Sequence, residues 1–215
     1  MAGLRHTTVN LFAAPAAAVA VIASVLFLDK PLAWFCFGLG AGVHAAGRYL
    51  SLLGDFPAGF AACSVMLGLS LYLVYGRKRS VAAGLRLLFV PVSTGLSWAL
   101  GNIAKVVFGR ARPELLFQQG LYGFHFLRTD YDFNSFPSGH AVLATSFLFA
   151  LSMILPRWRW PLWVLAVVVC LSRVVITAHY FSDVFAGALL AVAVVSGTRS
   201  IFRSRGPVFS PKEEL

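Results

Sequence analysis

The run PSGHAVLATSFLFALSMILP, residues 137 to 156, decides how the chain folds. Pro137 suits the first turn of a helix, and Ser138 is a residue type that caps one. From Ala141 to Leu155 no charged residue occurs, and the run stops at Pro156-Arg157-Trp158-Arg159. A stretch this apolar, with no alternation of polar positions, reads as a buried or membrane-crossing helix and not as an amphipathic one. The rest of the chain has the same character. Of its 215 residues 59% are apolar and only 12% charged, and the mean hydropathy is +0.79. Soluble domains carry about 25% charged residues, so the surroundings of this chain are read as lipid.

Around that run lie others of similar composition: Leu11 to Leu28, Phe56 to Tyr75, Leu85 to Ala104, Pro161 to Thr177 and Phe181 to Ile201. The segment from Pro31 to Leu53 holds Gly38, Gly40, Gly42, His44 and Arg48 and reads as interfacial or re-entrant. The expectation is an all-α polytopic membrane bundle of six transmembrane helices, forming a single domain over residues 1–215. The first run could be a signal peptide. It is longer than a usual h-region and ends in Asp29-Lys30-Pro31 without a small-residue cleavage site, so an uncleaved first span is expected.

The net charge of +10 raises nucleic-acid binding, but the basic residues sit in short loops between apolar runs, as membrane topology requires. With the N-terminus inside, one side takes Arg5, Arg77, Lys78, Arg79, Arg86, Arg157, Arg159, Arg199, Arg203, Arg205 and Lys212. The other keeps Lys30, Arg48, Lys105, Arg110, Arg112, Arg128 and Arg173. That excess predicts both termini in the cytoplasm. Cys36, Cys63 and Cys170 show no metal-ligand or disulfide spacing and read as small packing residues.

Three polar constellations fall at the same end of this arrangement. Lys105 is followed by Arg112-Pro113, Pro137-Ser138-Gly139-His140 opens a helix, and Ser172-Arg173 is followed by His179 and Asp183. Three cations at one rim repel one another unless an anion fills the space between them, and arginine holds phosphate oxygens in bidentate fashion. The N–H groups of a helix start bind anions without further help. His179 and Asp183, four residues apart, share a helix face, and a carboxylate bonded to one imidazole nitrogen would leave the other free for attack. Each feature also has an ordinary structural explanation: snorkelling cations, a capped helix, a structural His–Asp pair.

Taken together, these residues resemble the type 2 phosphatidic acid phosphatase (PAP2) superfamily, whose pattern is Lys-x6-Arg-Pro, Pro-Ser-Gly-His and Ser-Arg-x5-His-x3-Asp. Every fixed position is matched, all within residues 105–183. The resemblance implies a membrane phosphatase with His179 as nucleophile, Asp183 orienting it and His140 as general acid. Lys105, Arg112, Ser138, the Gly139 N–H and Arg173 would hold the phosphoryl oxygens. It implies no metal and no cofactor. Arg110 and His125 match no fixed position.

Because the motifs lie at helix ends, the expected partner is a lipid phosphate reaching the site from the bilayer: phosphatidylglycerophosphate, phosphatidic acid, undecaprenyl diphosphate or lipid A. The site would face the periplasm or exterior of a bacterial inner membrane. Phe117, Tyr122, Phe124, Phe126, Tyr131, Phe133 and Phe136 are expected to shape the lipid entrance, as aromatic residues favour the interface. Three alternatives stay open: a transporter of an anionic phosphate-bearing solute, a lipid-to-lipid phosphotransferase, and a zinc enzyme built on His140, His179 and Asp183.

Overall fold

The computed structural model of the chain describes residues 13–76 and 81–204. The start of the first apolar run at Leu11, and Arg5, Arg77, Lys78, Arg79, Arg205 and Lys212, lie outside the described residues. The helices are α1 Ala13–Ala23, α2 Asp29–Phe37, α3 Ala41–Leu52, α4 Phe56–Leu71, α5 Val81–Phe108, α6 Pro113–Gln119, α7 Gly139–Ile154, α8 Arg159–Val175 and α9 Phe181–Ser204. Among the described residues the only strand-like pairing is one antiparallel bridge between Arg110 and Phe124.

Five helical segments are long and apolar enough to cross a membrane: Ala14–Phe37, Ala41–Gly76, Val81–Phe108, Pro156–Val175 and Phe181–Arg203. The decisive run forms α7, which is apolar but only 16 residues long. It packs against α4, α5, α8 and α9. Its residues Ala141 to Ser146 are all buried, so protein and not lipid covers most of its upper half. Three apolar clusters hold the bundle: Cys36, Ala141, Cys170, Val174 and Val184 near the start of α7, Phe89, Val90, Ala150 and Val195 near its end, and Ala33, Leu116 and Tyr180 between α2 and α6. Cys36 and Cys170 are thus packing residues, as expected.

The expected stop at Asp29-Lys30-Pro31 is corrected. The helix runs on through α2 to Phe37 by way of a π-helical turn, Ser24–Leu28. Pro31 lacks an N–H, and its ring would crowd the carbonyl four residues back. That position, Phe27, lies in the widened turn. Asp29 is not a solvated cap either, being only 1% exposed. The remainder of the ambiguous segment forms α3, separated from α4 by the extended backbone of Asp55. It lies along α8, with Gly47 and Ser51 buried and Val43, Leu50 and Leu52 exposed.

Candidate active site

Residues 109–136 fold into a platform across one end of the bundle. Gly109 starts it with φ +51°, and a Cβ there would sit 2.1 Å from the His125 carbonyl oxygen, so only glycine fits. Backbone bonds then stitch the segment together: His125 N–H to Gly109 O, Ala111 N–H to Gly123 O, Arg112 N–H to Asp132 O and Ser135 N–H to Arg110 O. The platform therefore holds Arg110, Arg112 and Ser135 in fixed register against the helix ends.

His179 sits in the short junction between α8 and α9, where Thr177 adopts φ +54° and the His179 N–H bonds back to Arg173 O. Its Nδ1 lies 2.9 Å from the Ser135 carbonyl oxygen. A carbonyl only accepts, so Nδ1 carries the proton and Nε2 keeps its lone pair. Burial pushes the imidazole well below the usual histidine range, to about 3, against the opposing pull of Asp183. The ring is neutral at pH 7 and available as a nucleophile.

The expected direct bond between Asp183 and this imidazole is not formed, the separation from Nδ1 being 3.8 Å. Its oxygens are otherwise engaged. Oδ1 accepts from Arg110 Nη1 at 2.5 Å, while Oδ2 accepts from Ser135 Oγ at 2.6 Å and from the Tyr180 N–H at 2.9 Å. Ser135 thus touches both partners, giving its hydroxyl proton to the carboxylate and its carbonyl to the imidazole.

Arg110 is fully buried. Its second arm donates to Asp29 Oδ2 at 2.7 Å and Tyr122 Oη at 2.9 Å, and its guanidinium carbon lies 4.4 Å from the Tyr180 ring centroid. Burial alone would favour the neutral form, but the fields of Asp183 and Asp29 more than reverse this and raise its pKa. The Tyr122 phenol is pushed up to about 12, chiefly by burial.

The remaining motif residues surround His179. Ser138 caps α7, accepting from the Ala141 N–H, and its own N–H bonds to Asp183 O. Gly187 permits this approach, since a Cβ there would meet Ser138 O at 3.0 Å. Gly139 places the start of α7 beside the Lys105 side chain, whose Cε would be 3.5 Å from a Cβ at that position. Lys105 Nζ donates to Asn134 O. Arg112 donates to Tyr131 O and Ala178 O, beneath the Tyr131 ring, and burial lowers its pKa. Arg173 donates to Ser51 Oγ on α3, and its buried Nε has no hydrogen-bond partner among the described residues. Lys105 couples electrostatically to both Arg112 and Arg173, and these two to each other. His140 feels Arg173 and Lys105, and His179 feels Lys105 and Arg112. Lys105, Arg112 and Arg173 therefore lie within electrostatic reach of one another, and each imidazole within reach of two of them, which leaves unspent donor capacity suited to an anion.

Five neighbours carry no motif signal: Ser135, Asp55, Ser51, Arg110 and Asp29. Asp55 caps α4 and stands 3.5 Å from His140 Nε2. Its cue was an aspartate ahead of Phe56-Pro57, a helix-start pattern. Asp29 offered a sharper one, a lone carboxylate at the end of an apolar run. His125 packs against Phe133, and its main chain bonds Gly109 and so helps to hold the platform. No group of three His, Cys, Asp or Glu among the described residues has the geometry to hold a metal ion.

The platform aromatics divide by role. Tyr122 and Tyr131 serve Arg110 and Arg112, Phe126 and Phe136 join Phe108 to line an apolar cavity of about 640 Å³ against α1, and Phe124 does both, lining that cavity with its ring centroid 5.0 Å from the Arg110 guanidinium carbon. A second cavity, of about 530 Å³ and mixed lining, opens beside Arg112 between α6, Tyr131 and Thr177-Ala178.

A family model described as the PAP2 superfamily matches residues 86–207. The lipid A 1-phosphatase of Rhizobium johnstonii is 29% identical over 88% of this chain and 80% of its own length. That of Rhizobium etli is 31% identical over 78% and 74%. An undecaprenyl-diphosphatase of Sulfolobus acidocaldarius is 33% identical over 65% of this chain and 63% of itself. Among solved structures, the PAP2-type phosphatidylglycerolphosphate phosphatase of Bacillus subtilis superposes with a TM-score of 0.65. It is 20% identical and covers 92% of this chain and 95% of its own.

Proposed function

The chain belongs to the PAP2 superfamily of membrane lipid phosphatases, and from this we propose that it removes phosphate from a lipid headgroup through a phosphohistidine on His179. The observation that carries the reading is a neutral imidazole whose Nδ1–H is fixed by Ser135 and which lies in the field of Lys105 and Arg112, with Arg173 beside these two cations. In the first step the Nε2 lone pair forms the N–P bond. The P–O bond to the lipid breaks, its electron pair stays on the leaving oxygen, and His140, entering as an imidazolium favoured by Asp55 and the bound phosphate dianion, supplies the proton and becomes neutral. Nδ1 keeps its hydrogen, so the imidazole becomes a cation. Water, deprotonated by His140, then attacks phosphorus, and the N–P pair returns to Nε2. The three cations and the Ser138-Gly139 helix start stabilise the phosphoryl oxygens, which is most of what phosphoryl transfer requires.

The substrate class proposed is a lipid A 1-phosphate. The relatives that cover most of this chain carry that name. The cavity beside Arg112 is lined by Glu114 and Gln118, suitable partners for sugar hydroxyls. The apolar surface around Phe108 and Phe136 would receive acyl chains. The proposed topology has six spans, α7 included because its neighbours enclose it, and both termini in the cytoplasm. Arg86, Arg157, Arg159, Arg199 and Arg203 stand at the bundle end opposite the site, in keeping with an active site facing the periplasm of an inner membrane.

The test is phosphate release by the purified chain in detergent with chelator present, from lipid A, undecaprenyl diphosphate, phosphatidic acid and phosphatidylglycerophosphate. Lipid A should be the best substrate, and His179→Ala should release nothing. Full activity in His179→Ala would end the phosphohistidine reading, and preference for another lipid would end the substrate assignment alone.

A further inference from the structure

We infer that Asp29, on the first helix and outside the region matched by the family model, is a positioning residue that keeps the cradle of the nucleophile one negative charge in excess. The inference rests on the proposal that His179 is phosphorylated. Asp29 accepts from Arg110 Nη2 at 2.7 Å, from the Ser182 N–H at 2.9 Å and from Ser182 Oγ. Arg110 in turn holds Asp183, and Asp183 lies 3.8 Å from His179 Nδ1. All three charged side chains are essentially inaccessible, at 0–1% exposure.

The formal charges of this cluster decide its use. Arginine remains charged in proteins, so two carboxylates and one guanidinium sum to minus one beside a neutral imidazole. Attack on phosphorus turns that imidazole into a cation, and the cluster with its nucleophile becomes neutral. Interactions that strengthen only as charge develops accelerate the chemical step.

Arg110 alone would work against this. Paired one to one with Asp183 it would fix the carboxylate but cancel much of its field at His179. Asp29 supplies the second negative charge, so Asp183 is held rigidly and still acts as counter-charge. The π-helical turn Ser24–Leu28 directly precedes Asp29, and its Val25 carbonyl accepts from Tyr122 Oη, which ties the same turn to the platform.

The experiment is rapid-quench phosphoenzyme formation by the full chain in detergent, quenched in alkali. The probe is a pool of ³²P-labelled lipid A, undecaprenyl diphosphate and phosphatidic acid. Asp29→Asn should slow formation roughly 10–100-fold, with the end-point amplitude within about twofold and KM within about threefold of the parent. Asp29→Glu should regain most of the rate. A lowered amplitude at unchanged rate would mean that Asp29 only holds the fold, and would overturn the inference, as would no change at all. Should Asp29→Asn not fold, the double variant Asp29→Asn/Arg110→Met keeps the charge at minus one and should lie within about tenfold of the parent. A slowing beyond about 100-fold there would overturn the charge argument. If the parent chain itself forms no phosphohistidine, the nucleophile assignment falls, and this inference with it. That outcome differs from a failure of Asp29, in which the parent labels normally.

Discussion

Replacing Asp183 by asparagine keeps the shape of the side chain and removes its charge. In the structure that charge lies 3.8 Å from Nδ1 of His179. With an effective dielectric constant near 20, a unit charge at this distance stabilises a new imidazolium by about 4 kcal/mol. The expected loss in the rate of phosphoenzyme formation is therefore about 10³-fold. The amide also meets three donors, Arg110 Nη1, Ser135 Oγ and the Tyr180 N–H. Its single oxygen can satisfy only one side, so an additional loss from displaced Ser135 is expected. The assay is single-turnover quench flow with labelled lipid phosphate, reading rate and amplitude separately. A variant that folds, labels to full amplitude and is slowed less than tenfold would refute the counter-charge argument, because the field of Asp183 would then not reach the reacting ring.

Arg110→Met leaves two buried carboxylates facing each other. Breaking a buried pair in this way costs about 3–5 kcal/mol, so thermal unfolding in detergent should fall by roughly 10 °C or more, and Asp29→Asn in the same chain should recover part of it. Ser51→Ala removes the hydroxyl that accepts from Arg173. A loss of about 1 kcal/mol, or roughly fivefold in kcat/KM, is expected, with vanadate inhibition weakened in parallel. His179, lowered to about 3 by burial, binds no proton when folded at pH 5 but does when unfolded. Stability is therefore retained above pH 6.5 and lost as pH falls toward 3. His179→Asn should lessen the loss between pH 7 and pH 5 by about 2 kcal/mol in denaturant titrations.

Much of the site was legible because its residues carry their chemistry in short segments. Lys105 to Pro113 spans the end of one helix, Pro137 to His140 the start of another, and Ser172 to Asp183 a single junction, so sequence spacing nearly determines spatial order. Apolar run length similarly exposed the helices, since the bilayer requires continuous apolar stretches. What spacing could not reveal was contact across the bundle. Ser135 stands next to a motif but acts through its carbonyl, and main-chain groups have no sequence signature. The first helix was ended too early because Asp-Lys-Pro resembles a terminus. Partners 81 and 153 positions away in sequence, Arg110 and Ser182, make a buried Asp29 tolerable.

From the sequence alone came the membrane class, because composition follows from the solvent, and the short motifs whose resemblance implies the reaction family and the candidate phosphate-binding residues. The tertiary structure alone decided what holds those residues. It set Ser135 and not Asp183 against Nδ1 of His179, gave both arms of Arg110 to carboxylates on different helices, and brought the first helix into the site. The physical reason is that a charge out of reach of water must find its partner within hydrogen-bond distance, wherever the chain places it, and packing alone specifies which partner is near.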